Sequence, residues 1–238
     1  MKRLDRQTIE GHGLPSLVLM ERAALAAVDV LLTEGFGLER VSVVCGPGNN
    51  GGDGIAVARL LHLAGYKVDL VFVGDPDKRS EETRKQGEIA ESYGLRIGTF
   101  AAVADAANAA AVADAAGKAD AMGAAGATNV AGAVAKAGAS ENPTTVVDAI
   151  FGIGGVRAPE GDFADAIRYI NTSRAAGAKV LAIDVPSGVS ADTGDTPGEA
   201  VSADVTVTFA YKKVGLTKAP GSALAGKIIV KDIGIYFE

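Results

Sequence analysis

The chain has 238 residues, 48% of them hydrophobic and 22% charged, with a formal net charge of −6. That length suits a single α/β domain, the composition excludes wholesale disorder, and the negative surface disfavours nucleic-acid phosphates as partners. A lone cysteine, Cys45, permits no internal disulfide and points to a reducing, cytoplasmic setting; no apolar run nears the ~18 residues that span a bilayer, and the N-terminus has no signal-peptide pattern.

Residues 4–33 read as a helical region broken at Leu14-Pro15-Ser16. Leu17, Met20, Ala24, Ala27, Val28 and Leu31 recur at helical spacing, and Gly35 and Gly37 end the pattern. Val41-Ser42-Val43-Val44-Cys45 is then a short buried strand. Residues 53–64 read as a helix stopped by Gly65, residues 68–73 as a second strand, and residues 79–93 as a charged helix ending at Gly94. Further strands are expected at 145–149, 180–184, 205–209 and 227–231, with a helix at Asp162–Asn171 between the first two. The alternation predicts an α/β fold, a three-layer α/β/α, Rossmann-like, doubly wound and mostly parallel sheet. Residues 101–142 are rich in Ala and Gly and poor in large apolar side chains. They read as an insertion, either Ala-rich surface helices or a mobile loop, without chemistry.

Four segments carry the chemistry. Gly46-Pro47-Gly48-Asn49-Asn50-Gly51-Gly52-Asp53-Gly54 joins a strand to a helix. Its glycines let backbone approach a ligand, and the helix N-terminus favours a phosphate. It contains G-x-G-x-x-G but no Gly-Lys-Ser/Thr, so it is not a P-loop. The structural alternative is capping by Asp53, with the asparagines in left-handed backbone. Asp148 ends a strand ahead of a second Gly-rich turn, Phe151 to Pro159, in which Arg157 could meet a phosphate; the plain alternative is a capping carboxylate. Asp184-Val185-Pro186-Ser187-Gly188 again sets an acid at a strand end, where an unpartnered charge is costly. Val185 and the positions of His12 and His62 argue against a serine hydrolase. Tyr211-Lys212-Lys213 is either two solvated lysines or one amine turned into the same crevice. Asn50, Asp148 and Ser187 offer oxygen donors suited to a hard cation rather than zinc, or a metal-free hydrogen-bond network.

Together, Gly48 to Gly54, Asp148-Ala149-Ile150-Phe151-Gly152 and Asp184 to Gly188 resemble the NAD(P)H-hydrate epimerase family of the YjeF N-terminal type. Leu17-Val18-Leu19-Met20-Glu21, Lys213-Val214-Gly215-Leu216 and Val230-Lys231-Asp232-Ile233-Gly234 are similar too. The resemblance implies interconversion of the R and S forms of hydrated NADH and NADPH, an isomerase of nucleotide repair working with a separate dehydratase, often as a homodimer. It implies substrate contacts from Asn49, Asn50, Gly51, Gly52 and Asp53, from Gly152, Ile153, Gly154, Gly155, Val156, Arg157 and Ala158, and from Asp184, the choice for proton transfer. It also implies a potassium ion held by Asn50, Asp148 and Ser187. The chain departs from the family in having Arg22-Ala23 where Asn-Ala is usual, and in the longer 101–142 segment. Two rivals stand beside it. An NAD-dependent dehydrogenase would use Asp75 on the ribose. A non-catalytic interaction domain of the same fold could dispense with Asp53, Asp148 and Asp184, all of which are present.

Overall fold

The computed structural model describes residues 2–101, 143–154 and 157–235. The Ala/Gly-rich segment from 102 to 142, and with it the insertion reading, lies outside the described residues, as do Gly155 and Val156. In chain order the elements are α1 (Lys2–Arg6), a π turn (Gln7–Gly11), α2 (Ser16–Thr33), β1 (Val41–Cys45), α3 (Asn49–Leu63), β2 (Val68–Phe72), α4 (Glu81–Ser92) and β3 (Ile97–Thr99). Then come β4 (Thr145–Ala149), α5 (Asp162–Ala175), β5 (Lys179–Ile183), β6 (Val205–Phe209), a 3-10 turn (Val214–Thr217), α6 (Gly221–Leu224) and β7 (Lys227–Lys231).

The seven strands of the described residues form one sheet in the order β3-β2-β1-β4-β5-β6-β7. Every pairing is parallel, so "mostly parallel" understates the sheet. The strands are short and their side chains alternate between two cores. Val43, Cys45, Val147, Ala149, Leu181 and Ile183 face α2 and α3. Val44, Val146, Val180 and Ala182 face α5 through Ile167 and Ile170. Burial on both faces explains why these strands read as continuous apolar runs. A smaller core of Val185, Val189, Leu216 and Ala225 fixes the loops that follow β5 and β6.

After β1 the chain works outward to β3, then returns to set β4 on the other side of β1. The connections leaving β1 and β4 therefore part in opposite directions and open a crevice at the C-terminal edge of the sheet. Register places Val44 beside Asp148 and Cys45 beside Ala149, so the two Gly-rich loops start level with each other.

One boundary corrects the sequence reading. α3 begins at Asn49, not at residue 53, so Gly51, Gly52 and Gly54 are helical. Glycine disfavours helix by about 1 kcal/mol per residue relative to Ala. Here packing overrides propensity, because a Cβ on Gly51 would collide with the Gly46 carbonyl and one on Gly54 with Ala149 and Cys45. The helix can lie this close to β1 and β4 only without those side chains. The two asparagines are accordingly in helical rather than left-handed backbone, and Gly48 occupies the N-cap in place of Asp53.

Candidate functional site

A cavity of about 490 Å³ fills the crevice. Its floor is the start of α3 (Gly48, Asn49, Asn50, Asp53) and the turn after β4 (Ile150 to Gly154). Asp184 enters from the loop after β5, Phe209 from the end of β6 and Lys213 from the loop after β6. Asp5 and Ile9 from the N-terminal segment, Leu19, Met20 and Ala23 from α2, and Ile233 and Ile235 beyond β7 complete the wall. Most of that wall is apolar, so the few charged groups act in a medium that screens them weakly.

Asp184 directly follows β5 with φ of 68°, a left-handed conformation that Asp tolerates better than most residues. The turn is held by its N–H donating to the Val207 carbonyl at 2.7 Å and by the Val185 N–H donating to Ile183. It brings the carboxylate onto the Lys213 ammonium as an ion pair, and the Thr208 hydroxyl donates to the same oxygen at 3.3 Å. Lys213 is buried, and its Nζ also donates to the Phe209 carbonyl at 3.0 Å. Of the two lysines at 212 and 213, the second is thus the amine turned inward, while Lys212 is exposed.

Two further carboxyls share this space. Burial pushes the Asp53 carboxyl well above its usual range, and the Asp184 charge adds to the push; Lys213 opposes it and Asp5 reinforces it. Asp5 is raised as well, chiefly by burial, with Lys213 again opposing. Three acids against one amine cannot all be ionised cheaply in a dry cavity, so the cluster retains a proton that solvated carboxylates would lose.

Asp148 and Ser187 lie beneath the cavity, both fully buried. The Ser187 N–H donates to Asp148 Oδ2 at 2.8 Å, and the Ser187 hydroxyl donates to Oδ1 at 2.6 Å. The Ile150 N–H reaches Oδ1 at 3.3 Å, and the Phe151 N–H donates to Ser187 Oγ at 2.9 Å. Burial pushes Asp148 up to about 6 in spite of these donors. Asn50 is buried nearby against Gly152, where a Cβ would come within 3.3 Å of its side chain. Neither the oxygen nor the nitrogen of its amide has a hydrogen-bond partner among the described residues. A buried amide left so is costly unless something else meets it.

The remaining sequence-predicted residues divide by position. Asn49, Gly152, Ile153 and Gly154 line the cavity, whereas Gly51, Gly52, Arg157 and Ala158 do not. The Gly51 N–H is used within the helix start, donating to Gly48 at 2.8 Å. Arg157 and Ala158 are exposed. Asp75, the acid a dehydrogenase would need, accepts from the Asp77 N–H at 3.0 Å in a 3-10 turn and is not part of the cavity wall. Sequence reasoning missed Asp5, Ile9, Ser16, Ala23 and Ile235. Nothing marks them in one dimension, since each looks like an ordinary helix or tail residue.

Residues 16–215 match the model of the family described as YjeF-related protein N-terminus. The chain belongs to this family. It is 43% identical over 237 residues to the NAD(P)H-hydrate epimerase of Levilactobacillus brevis, covering 100% of this chain and 92% of that one. It is also 43% identical to the protein of the same name from Limosilactobacillus reuteri, covering 99% and 94%. The crystal structure of yeast ynu0 shares the fold, with a TM-score of 0.68 at 20% identity over 100% of this chain and 86% of that one. The YjeF-type match stops short of both chain ends, so Asp5, Ile9, Ile233 and Ile235 lie outside it although they close the cavity.

Proposed function

We propose that the chain is an NAD(P)H-hydrate epimerase, an isomerase that interconverts the R and S forms of hydrated NADH and NADPH. One observation carries the reading. At the switch point of the sheet, an apolar cavity joins a helix N-terminus to an ion-paired acid, with a second acid in its lining. Gly51 and Gly52 donate to the Gly48 carbonyl, which leaves the Asn49 and Asn50 N–H groups at the start of α3 without a backbone acceptor among the described residues, and these suit a phosphate oxygen. The apolar wall suits a nicotinamide-type ring, and Asp184 supplies an acid in that wall.

The substrate carries its hydroxyl on a carbon next to the ring nitrogen. Loss of that hydroxyl as water gives an iminium, and return of water to the opposite face inverts the centre. The Asp184 carboxylate, fixed by Lys213 and Thr208, stabilises the cation and exchanges a proton with the oxygen. The enclosing side chains limit bulk water, so the iminium meets few competing partners.

The potassium assignment rests on the fit of the residues. The unpartnered amide oxygen of Asn50, the buried Asp148 carboxylate and the Ser187 hydroxyl are hard oxygen donors. Among the described residues no group of three or more His, Cys, Asp or Glu is placed to hold a metal ion, as a transition-metal site would want. These three would hold the ion, which would supply a fixed positive charge beside the turn after β4.

Function is tested by supplying R-hydrated NADPH together with a dehydratase specific for the S form. The chain is expected to accelerate recovery of NADPH beyond the spontaneous rate. Recovery no faster than in its absence would refute the reading.

A further inference from the structure

Inverting a carbon centre by loss and return of water places chemistry on both faces of the ring. The hydroxyl departs from one face and water arrives at the other. A carboxyl anchored to one wall serves the face it touches, and the opposite face needs a group of its own. The cavity supplies acids from two separate elements: Asp184 from the turn after β5, and Asp53 from the second turn of α3, which follows β1. β4 lies between β1 and β5. Two strand spacings of ~4.8 Å set the ends of those strands about 10 Å apart. A flat ring sandwiched between two carboxyls needs two van der Waals separations, roughly 7 Å in all.

Their surroundings differ in the way an acid and a base require. Asp184 is ion-paired with the Lys213 ammonium and accepts from Thr208. Among the described residues Asp53 makes no salt bridge, and burial, reinforced by the Asp184 and Asp5 charges, makes it keep its proton longer than a solvated carboxyl, Lys213 opposing only in part. A carboxyl raised by burial in the same cavity as a carboxylate held in an ion pair is an arrangement suited to an acid–base pair.

We propose that Asp53 and Asp184 serve opposite faces of the substrate ring, Asp53 delivering the proton to the departing hydroxyl and Asp184 taking the proton from the incoming water. This rests on the epimerase reading above. In the first half the C–O bond breaks with its electron pair on oxygen, the Asp53 proton joins that oxygen to release water, and the ring nitrogen lone pair forms C=N. In the second half a water oxygen bonds to the carbon from the other face, the C=N pair returns to nitrogen, and the surplus proton passes to Asp184. The enzyme is left with the proton on Asp184, the form that runs the reverse conversion, and proton exchange with solvent at the cavity mouth resets it.

Oxygen exchange separates two groups from one. Each purified epimer is incubated in ¹⁸O water with wild type, Asp53→Asn and Asp184→Asn, and both interconversion and label uptake are followed above the uncatalysed rate. Wild type should interconvert both epimers with label uptake. Each variant should lose interconversion by about 100-fold or more, yet still exchange the hydroxyl of one epimer with retention, and the two variants should do so on opposite epimers. Because Asp184→Asn leaves Lys213 unpaired, Asp184→Asn/Lys213→Met is run beside it and should show the same one-sided exchange. Near-normal interconversion by Asp53→Asn overturns the proposal. So does one variant exchanging both epimers while the other exchanges neither, the signature of a single carboxyl. A wild type that neither interconverts nor labels either epimer would instead remove the epimerase reading.

Discussion

At the scale of single residues, the cavity trades stability for chemistry. The Asp53 carboxyl is raised in the folded chain but ordinary in the unfolded one. Its contribution to stability is therefore fully present below about pH 4, the unfolded value, and is lost as pH rises through the folded value. Asp53→Asn removes that loss. We predict a higher melting temperature than wild type at pH 7 to 8 and near-equality at pH 4. A variant less stable than wild type at neutral pH would mean that Asp53 is held by contacts that favour its charged form. Functional sites commonly carry such a cost. The acids after the strands were legible in the sequence, because a charge ending an apolar run is conspicuous. Asp5 was not, because an acid on a short helix is normally solvated and only the fold turns it inward. The choice between a solvated and a buried lysine in the 212–213 pair likewise needed the third dimension, which brings the turn after β6 against that after β5.

At the scale of elements, α3 decides the site. Its glycines are not hinges but gaps that neighbours fill, the Gly46 backbone at Gly51 and the Ala149 and Cys45 side chains at Gly54. Gly51→Ala would drive a methyl group into the Gly46 carbonyl, and overpacking against backbone should destabilise the fold by about 3 kcal/mol or more. Gly48→Ala, with nothing within 4 Å of its Cβ and an ordinary φ, should cost less than about 1 kcal/mol. Chemical denaturation of both variants checks the contrast, and equal losses would show that the close approach is not what fixes the helix. The strands and most helices were readable, since an all-parallel sheet buries both faces and leaves unbroken apolar runs. The start of α3 was not, because local propensity argues against helix across Gly51-Gly52 and the favourable packing is nonlocal. β3 escaped for a different reason: Ile97-Gly98-Thr99 is three residues long at the sheet edge and only partly covered.

At the scale of the whole molecule, strand order does the assembling. Reversal between β1 and β4 brings together residues as far apart as 50, 148 and 187, and both ends of the chain then fold over the result. The Rossmann-like class and the convergence of the Gly-rich turns followed from alternation of strands and helices. The identity of the roof did not, since Ile9 and Ile235 are paired only by closure of the fold. If Asn50, Asp148 and Ser187 hold potassium, binding stabilises the folded state by mass action, by about 2.7 kcal/mol at a hundredfold excess over Kd. Potassium chloride should then raise the melting temperature above that in choline chloride of equal ionic strength, and Asp148→Asn should abolish the difference. Identical melting in the two salts would leave the triad a hydrogen-bond network. No described helix is long and apolar enough to cross a membrane.

The central claim is that this cavity inverts the hydrated carbon through Asp184. It is met most directly by following purified R-hydrated NADPH alone, by chiral separation against time, with wild type and with Asp184→Asn of matched melting temperature. The account predicts rapid approach to an R/S mixture with wild type and a rate indistinguishable from the spontaneous one with the variant. Comparable catalysis by both proteins would contradict it.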